Sequence, residues 1–261
     1  LFRFDNDKFA GSDDYYTNGL HLGFVASSTS FERSIFPDFI GRALQYLPGL
    51  NPDGRVVNSG FSIAQRMFTP HDIENVSFNE DDLPFSGQIC FNLSASTQNS
   101  RHFDAWTLTL GATGPISGAG KLQMQVHQTL FPSEADGWES QLKNELLINL
   151  FNQHRFRIFE LGKTTRYFDT MLIGSGGIGN LISFAEGGVC IRMGLNIPND
   201  FLAADSIFTD PMIGIMPTAP TKSKFSCYLF GGISGSFTAY NIALDGNSFP
   251  ADGPSVDYLH Y

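Results

Sequence analysis

The sequence predicts an all-β chain, and within that class an antiparallel transmembrane β-barrel. Three observations lead there. Apolar residues alternate with small polar ones at a period of two over much of the chain. The polar positions carry Ser, Thr, Asn and Gly, where the outer faces of a soluble sandwich would carry Lys, Glu and Arg. The alternating segments run about 9 to 11 residues, the length a tilted strand needs to cross a bilayer.

Each segment follows the same logic. From Leu20, the residues Leu20, Leu22, Phe24 and Ala26 share one face, against His21, Gly23, Val25 and Ser27. From Gln88, Ile89, Phe91, Leu93 and Ala95 oppose Gln88, Cys90, Asn92, Ser94 and Ser96. From Trp106, Leu108, Leu110 and Ala112 continue an apolar face against Thr107, Thr109 and Gly111. Val189, Ile191, Met193 and Leu195 alternate with Cys190, Arg192, Gly194 and Asn196. Successive strand side chains point to opposite sides, so each segment has one apolar and one small-polar face. That pairing suits lipid outside and a polar lumen inside.

The connections read as follows. The stretch Ser34 to Asp53 holds Pro37, Pro48, Gly49 and Pro52 around an apolar patch, and reads as a long loop with a short amphipathic helix. Pro198 to Lys222, with four prolines, reads as a second long loop. Gly118 to Leu130 is compatible with a short helix or a strand; Gln123 and His127 share a face either way. Gly137 to Leu150 reads as a helical turn passing into a strand at Glu145.

Composition narrows the function classes. Charged residues make up 16% of the 261, with 25 Phe and 27 Gly, against about 25% charged in average chains. Many aromatics and few charges exclude disorder; a lipid-facing wall and a large soluble β-sandwich both remain. The net charge of −10 argues against nucleic-acid partners, which need basic stripes. Cys90, Cys190 and Cys227 are an odd, widely spaced set with no metal or disulfide pattern, and read as small semi-apolar side chains. The chain opens at Leu1 inside a strand pattern, so the expectation is a sequence trimmed at its N-terminus.

The residues with chemical potential concentrate near the start. Phe4 to Phe24 packs Asp5, Asn6, Asp7, Asp13, Asp14, Thr17 and Asn18 close together. Oxygen donors at that density suit a hard cation such as calcium, although an acidic turn uses the same residues. The EF-hand pattern is absent, since the glycine position is Ala10. His127 is a candidate general base. No G-x-S-x-G elbow, H-E-x-x-H or P-loop spacing occurs.

An ordered series of blocks runs through nearly the whole chain. N-D-x-F-x-G and D-x-Y-Y-T-N-G come first, then IAQRMFTPHDI (63–73), DDLPFSG (81–87) and LGATGPISG (110–118). Gln123 with His127 follows, then GWESQLKNE (137–145) and LDGNSF (244–249). This series resembles the lipid A 3′-O-deacylase family (LpxR-like). The resemblance implies a barrel of about 12 strands in the bacterial outer membrane, with short helices in extracellular loops and the site near the outer rim. The chain would be a single barrel domain over residues 1–261. It stops soon after the LDGNSF block, where the family continues, so the expectation is a trimmed sequence or a barrel closed differently.

The chemistry implied is calcium-dependent hydrolysis of the 3′ acyloxyacyl ester of lipid A, the lipid part of lipopolysaccharide. By matching position, Asn6, Asp7, Thr17 and His127 take the catalytic places. Asp7 helps hold calcium, and Gln65, Arg66 and Gln123 line the substrate site. The sequence departs from the family at Leu83, where D-D-R-P has Arg, and by the lack of Lys or Arg between His71 and Glu80. The basic role is then missing, or supplied by Lys163 or Arg166. Two rival readings stay open: an inactive barrel that binds protein partners in a membrane assembly, and a soluble calcium-binding sandwich.

Overall fold

A computed structural model of the chain describes residues 2–6, 15–71, 81–130, 136–162, 165–201, 225–249 and 253–256, with backbone alone at 3–6, 15–18, 126–130 and 136. Among the described residues nine strands form one sheet, each pairing antiparallel with its neighbour in sequence. They are β1 (Phe2–Asn6), β2 (Tyr15–Ser28), β3 (Val56–Thr69), β4 (Ser86–Gln98), β5 (His102–Thr113), β6 (Glu145–Leu161), β7 (Phe168–Gly179), β8 (Ile182–Leu195) and β9 (Cys227–Asn241). Among the described residues three α-helices accompany them: α1 (Asp38–Leu44), α2 (Ala119–Leu130) and α3 (Ile242–Asp245). Among the described residues no helix is long and apolar enough to cross a membrane.

The predicted alternation is the organising feature. In β6 the burial pattern switches with nearly every residue: Leu147, Asn149 and Phe151 are buried, and Leu146, Ile148 and Leu150 are exposed. The exposed face is the apolar one. Phe24, Phe61, Phe91 and Ile191 all stand on it, and the Phe24–Phe61 and Phe61–Phe91 rings lie 5.9 and 6.3 Å apart. An apolar side that faces out and a polar side that faces in is the reverse of a water-soluble sheet, and it is what a hydrocarbon solvent selects.

The sheet curls until its inner faces meet. Ala64 of β3, Cys90 of β4, Leu147 and Phe151 of β6 and Phe184 of β8 form one buried cluster with Leu142 and Ile242. The predicted polar interior is also there, as a packed hydrogen-bonded ladder. Asn92 Nδ2 donates to Ser62 Oγ at 3.0 Å, and Thr109 Oγ1 donates to Asn92 Oδ1 at 2.6 Å. Ser94 and Thr107 bond at 3.1 Å. Polar groups taken out of water are tolerated because they satisfy one another.

Two differences from the sequence reading have physical reasons. The strands β2 to β9 run 12 to 17 residues, longer than the 9 to 11 expected from bilayer thickness. The extra length carries wall beyond the lipid, where lobes pack on it. Helices also fall at both ends of the barrel, because β2 and β5 run in opposite directions and α1 and α2 follow them. Gly118 to Leu130 resolves as a helix, and Asp136–Ser140 is a 3-10 turn ahead of the strand that starts at Glu145, as its sequence suggested.

At the end away from α2, the interior holds a buried ion network. Asp169 accepts from Arg192 Nε at 2.9 Å and Nη2 at 2.6 Å, and from Arg157 Nε at 3.1 Å. Asp200, from the segment after β8, pairs with Arg192 Nη1 at 2.5 Å. Cys90 and Cys190 are buried and Cys227 is exposed, all three as free thiols.

Candidate active site on the outer wall

The site is built on one row of residues crossing the sheet. Asn6 of β1 pairs with Asn18 of β2, Asn18 with Met67 of β3, and Met67 with Gly87 of β4. Gly87 O then accepts from Gly114 N at 3.0 Å. Thr17 falls at a β-bulge, skipped between the pairs of Tyr16 and Asn18. A bulge re-aims the local chain and is a common device beside functional sites.

Helix α2 sits on this row, against the outer face of the wall. Its entry is a 3-10 turn, Pro115–Ser117, ended by Gly118 in the left-handed conformation at φ 70. Gln65 Nε2 donates to Ser117 O at 2.7 Å, tying β3 to that turn. Gly87 is the seat: a Cβ there would run into Ser117 Oγ and Ala119 Cβ. Met67, Phe85, Ala119 and Trp138 form a buried cluster with Leu122 against it. The Phe85 and Trp138 rings lie 5.1 Å apart, tilted by 52°. Burying this face holds the helix; propensity alone would not hold twelve residues in isolation.

Trp138 also fixes Gln123. Its Nε1 donates to Gln123 Oε1 at 2.7 Å, while Gln123 Nε2 is buried with no acceptor among the described residues. A buried amide with one unused donor is poised for an external oxygen. His127 follows Gln123 by one helical turn on α2.

The expected residues divide as follows. The structure puts the backbone of Asn6, and of Asn18 next to Thr17, in one row with Met67 and Gly87, on which the start of the helix bearing His127 packs; Gln65 holds the turn before that helix and Gln123 is held by Trp138. Arg66 belongs elsewhere: it shares the inner face with Ala64, opposite Gln65, and pairs in register with Gly19 and Gln88. Asp7 lies outside the described residues, as does Lys163. The suggestion that Arg166 supplies the basic role is corrected. It stands beyond the far end of the 17-residue β6, about 50 Å along the strand from the α2 end. There it pairs with Glu160 at 2.6 Å and approaches Asp169 at 3.7 Å.

Two functional supports escaped the sequence reading. Gly87 and Trp138 lie in the DDLPFSG and GWESQLKNE blocks, but nothing local assigns them to seating α2. The second is a tie across 102 residues. Asn247 Nδ2 donates to Lys143 O at 2.9 Å and to Glu145 Oε2 at 3.1 Å, and its Oδ1 accepts from Lys143 N at 2.8 Å. Glu145 Oε1 also accepts from Asn180 Nδ2 at 2.8 Å, so one carboxylate gathers three connections at the α2 end.

A family model described as outer membrane protein LpxR matches residues 1–261, the whole chain. The chain belongs to the LpxR family. It is an outer-membrane protein, and the lipid-facing wall described above is the physical counterpart of that location. The solved structure of LpxR from Salmonella typhimurium superimposes with a TM-score of 0.69 at 17% sequence identity, covering 96% of this chain and 75% of that one. At that identity the likeness is one of fold. No curated protein matches the chain. Among the described residues no group of three or more His, Cys, Asp or Glu side chains could hold a metal.

Proposed function

We propose that this LpxR-family chain is an outer-membrane lipid A deacylase that hydrolyses the 3′ acyloxyacyl ester. The observation that carries the proposal is the placement of α2. The helix bearing His127 packs on the row that carries Asn6, on the outer wall, where a membrane lipid arrives without leaving the bilayer.

The roles follow from the residue types. His127 takes the proton from a water as that water attacks the ester carbonyl, then returns it to the departing alcohol oxygen. The acyl–oxygen bond breaks, and the products are a free acyloxyacyl acid and the sugar hydroxyl. Asn6 orients the water or the carbonyl, and Thr17 at its bulge adds a hydroxyl. Gln123 Nε2 offers its unused donor to a substrate oxygen, and Gln65 holds the turn that starts the helix. Calcium fits the donor chemistry of the Asn6–Asp7 corner, hard oxygens from a carboxylate and an amide. Asp7 would hold the ion in part, and the ion would supply a Lewis acid for the developing oxyanion.

A second reading is a barrel of this fold without catalysis, serving as a structural or partner-binding component. Leu83 in place of the family's Arg, and Arg66 on the inner face, favour it.

The test is mass spectrometry of lipid A after incubation with the folded chain, with calcium or with a chelator, beside His127→Ala. Calcium-dependent loss of one acyloxyacyl mass, abolished in the variant, is the expected result. An unchanged lipid A mass from a folded barrel in calcium would transfer the case to the non-catalytic reading.

A further inference from the structure

The wall carries a second lobe, at the end opposite α2. The connection between β2 and β3, residues 29–55, folds back onto the outer face. Phe31 and Leu50 from the lobe bury with Val57 and Ala95 of the wall, and Phe36, Leu44, Leu47 and Trp106 pack around them. Polar ties fix it in place. Trp106 Nε1 donates to Pro48 O at 2.9 Å, Thr97 Oγ1 to Gly49 O at 2.9 Å, and Ile35 N to Ser59 Oγ at 3.1 Å. Arg55 pairs with Asp104, which also holds His154 Nδ1 at 2.7 Å. Gly49, at φ +82, lies so close to Asp104 that a Cβ would stand 2.6 Å from its Cγ.

The lobe has an unexplained side. On α1, Gly41 is buried against Phe31 and Leu44 turns to the wall. Phe39 and Ala43, four residues apart, share the opposite face, and Tyr46 continues it in the turn just past the helix, its N–H donating to Ala43 O at 3.1 Å. Phe39 is 73% exposed and Tyr46 is 83% exposed. Arg42 stands beside them, exposed, in a loose solvent-facing pair with Glu32 at 3.9 Å. In water this is an aromatic stripe left without cover. Its position removes the difficulty. Ser59, under the lobe, is only two residues from Phe61 of the lipid-facing belt, about 7 Å along the strand. The stripe is therefore continuous with the wall's membrane surface and stands at its edge.

We propose that the 29–55 lobe is an interfacial membrane anchor, whose Phe39–Ala43–Tyr46 face inserts into the phospholipid headgroup layer at the end opposite α2. Aromatic side chains and a flanking arginine are what that layer selects, with rings among the upper acyl carbons and the cation among phosphates. The choice of the phospholipid leaflet rests on the lipid A reading above, which puts α2 in the lipopolysaccharide leaflet. Insertion of the lobe does not rest on it.

The experiment uses the full chain in nanodiscs of phosphatidylethanolamine and phosphatidylglycerol, in a Cys227→Ser background that leaves only buried thiols. An environment-sensitive fluorophore is attached at Phe39→Cys, Tyr46→Cys, Phe61→Cys in the belt, or Arg101→Cys in the tight β4–β5 turn. The expected result is quenching of the labels at 39 and 46 by lipids with a shallow spin label, and iodide quenching several-fold weaker than at 101. Iodide quenching at both positions equal to that at 101 overturns the anchor. Leaflet is read separately, with a membrane-impermeant maleimide on intact cells. Labelling of Lys121→Cys and protection of Arg101→Cys is expected; labelling at 101 or protection at 121 overturns the leaflet assignment. Neither readout involves catalysis, so failure of the deacylase reading is seen apart from both.

Discussion

Asp169 offers the sharpest test of how the barrel interior is held. It is fully buried and accepts three hydrogen bonds from two buried guanidinium groups. With Asp200 opposite Arg192, the two fully buried arginines and two aspartates balance, and Arg166 at the margin of Asp169 is matched by Glu160. Asp169→Asn leaves the shape but removes one negative charge, so a buried cation goes uncompensated. Breaking such a pair costs roughly 3–5 kcal/mol. The remaining amide oxygen still accepts one bond, which places the expected loss near the lower end, about 3 kcal/mol. Removing both signs at once, with Asp169→Leu and Arg192→Met, restores the balance, and the double variant should be more stable than Asp169→Asn. The assay is urea unfolding in detergent micelles, followed by the shift between folded and unfolded gel migration. A loss under about 1 kcal/mol in the single variant, or a double variant no better than the single, would refute the argument. The network stands at the end away from α2, so lipid A turnover by the folded fraction should be unchanged, as expected for distant sites.

Two further predictions concern the wall and the seat of α2. Phe91→Arg puts a charge on the lipid face near the middle of β4; it should cost about 2–4 kcal/mol in the same unfolding assay, while an arginine at exposed Arg101's neighbour Ser100 should cost little. Gly87→Val should push Ser117 and Ala119 off the wall, at about 1–3 kcal/mol, and turnover of lipid A should fall with gel-shift behaviour retained; full turnover would show that α2 need not be seated there.

The sequence was legible wherever the period of two governs. The alternation from Leu20, Gln88, Trp106 and Val189 became β2, β4, β5 and β8 with the faces as read. The turn-to-strand change at Glu145 was legible for the same reason. Gly118 to Leu130 was ambiguous because its apolar residues fit both periods, and the deciding contacts with Gly87 and Trp138 are not local. The bond between Glu145 and Asn247 leaves no trace in either neighbourhood, since any pair of polar residues looks alike until the chain folds. Arg66 shows the same limit. It lies next to Gln65 in sequence, yet one step along a strand reverses the face, and register was not visible before the sheet was.

The neighbour-to-neighbour strand order has a consequence for how this wall comes into being. β4 and β5 are joined by Asn99, Ser100 and Arg101, and β7 and β8 by Asn180 and Leu181. β2 and β3 are separated by the whole 29–55 lobe. A connection roughly nine times longer raises the entropy cost of closure by about 2 kcal/mol. The short hairpins are then the early units of assembly, and the β2–β3 seam closes late, when the lobe's own apolar contacts can offset that cost. The same lobe that reaches for the lipid interface thus acts as the clasp that finishes the wall.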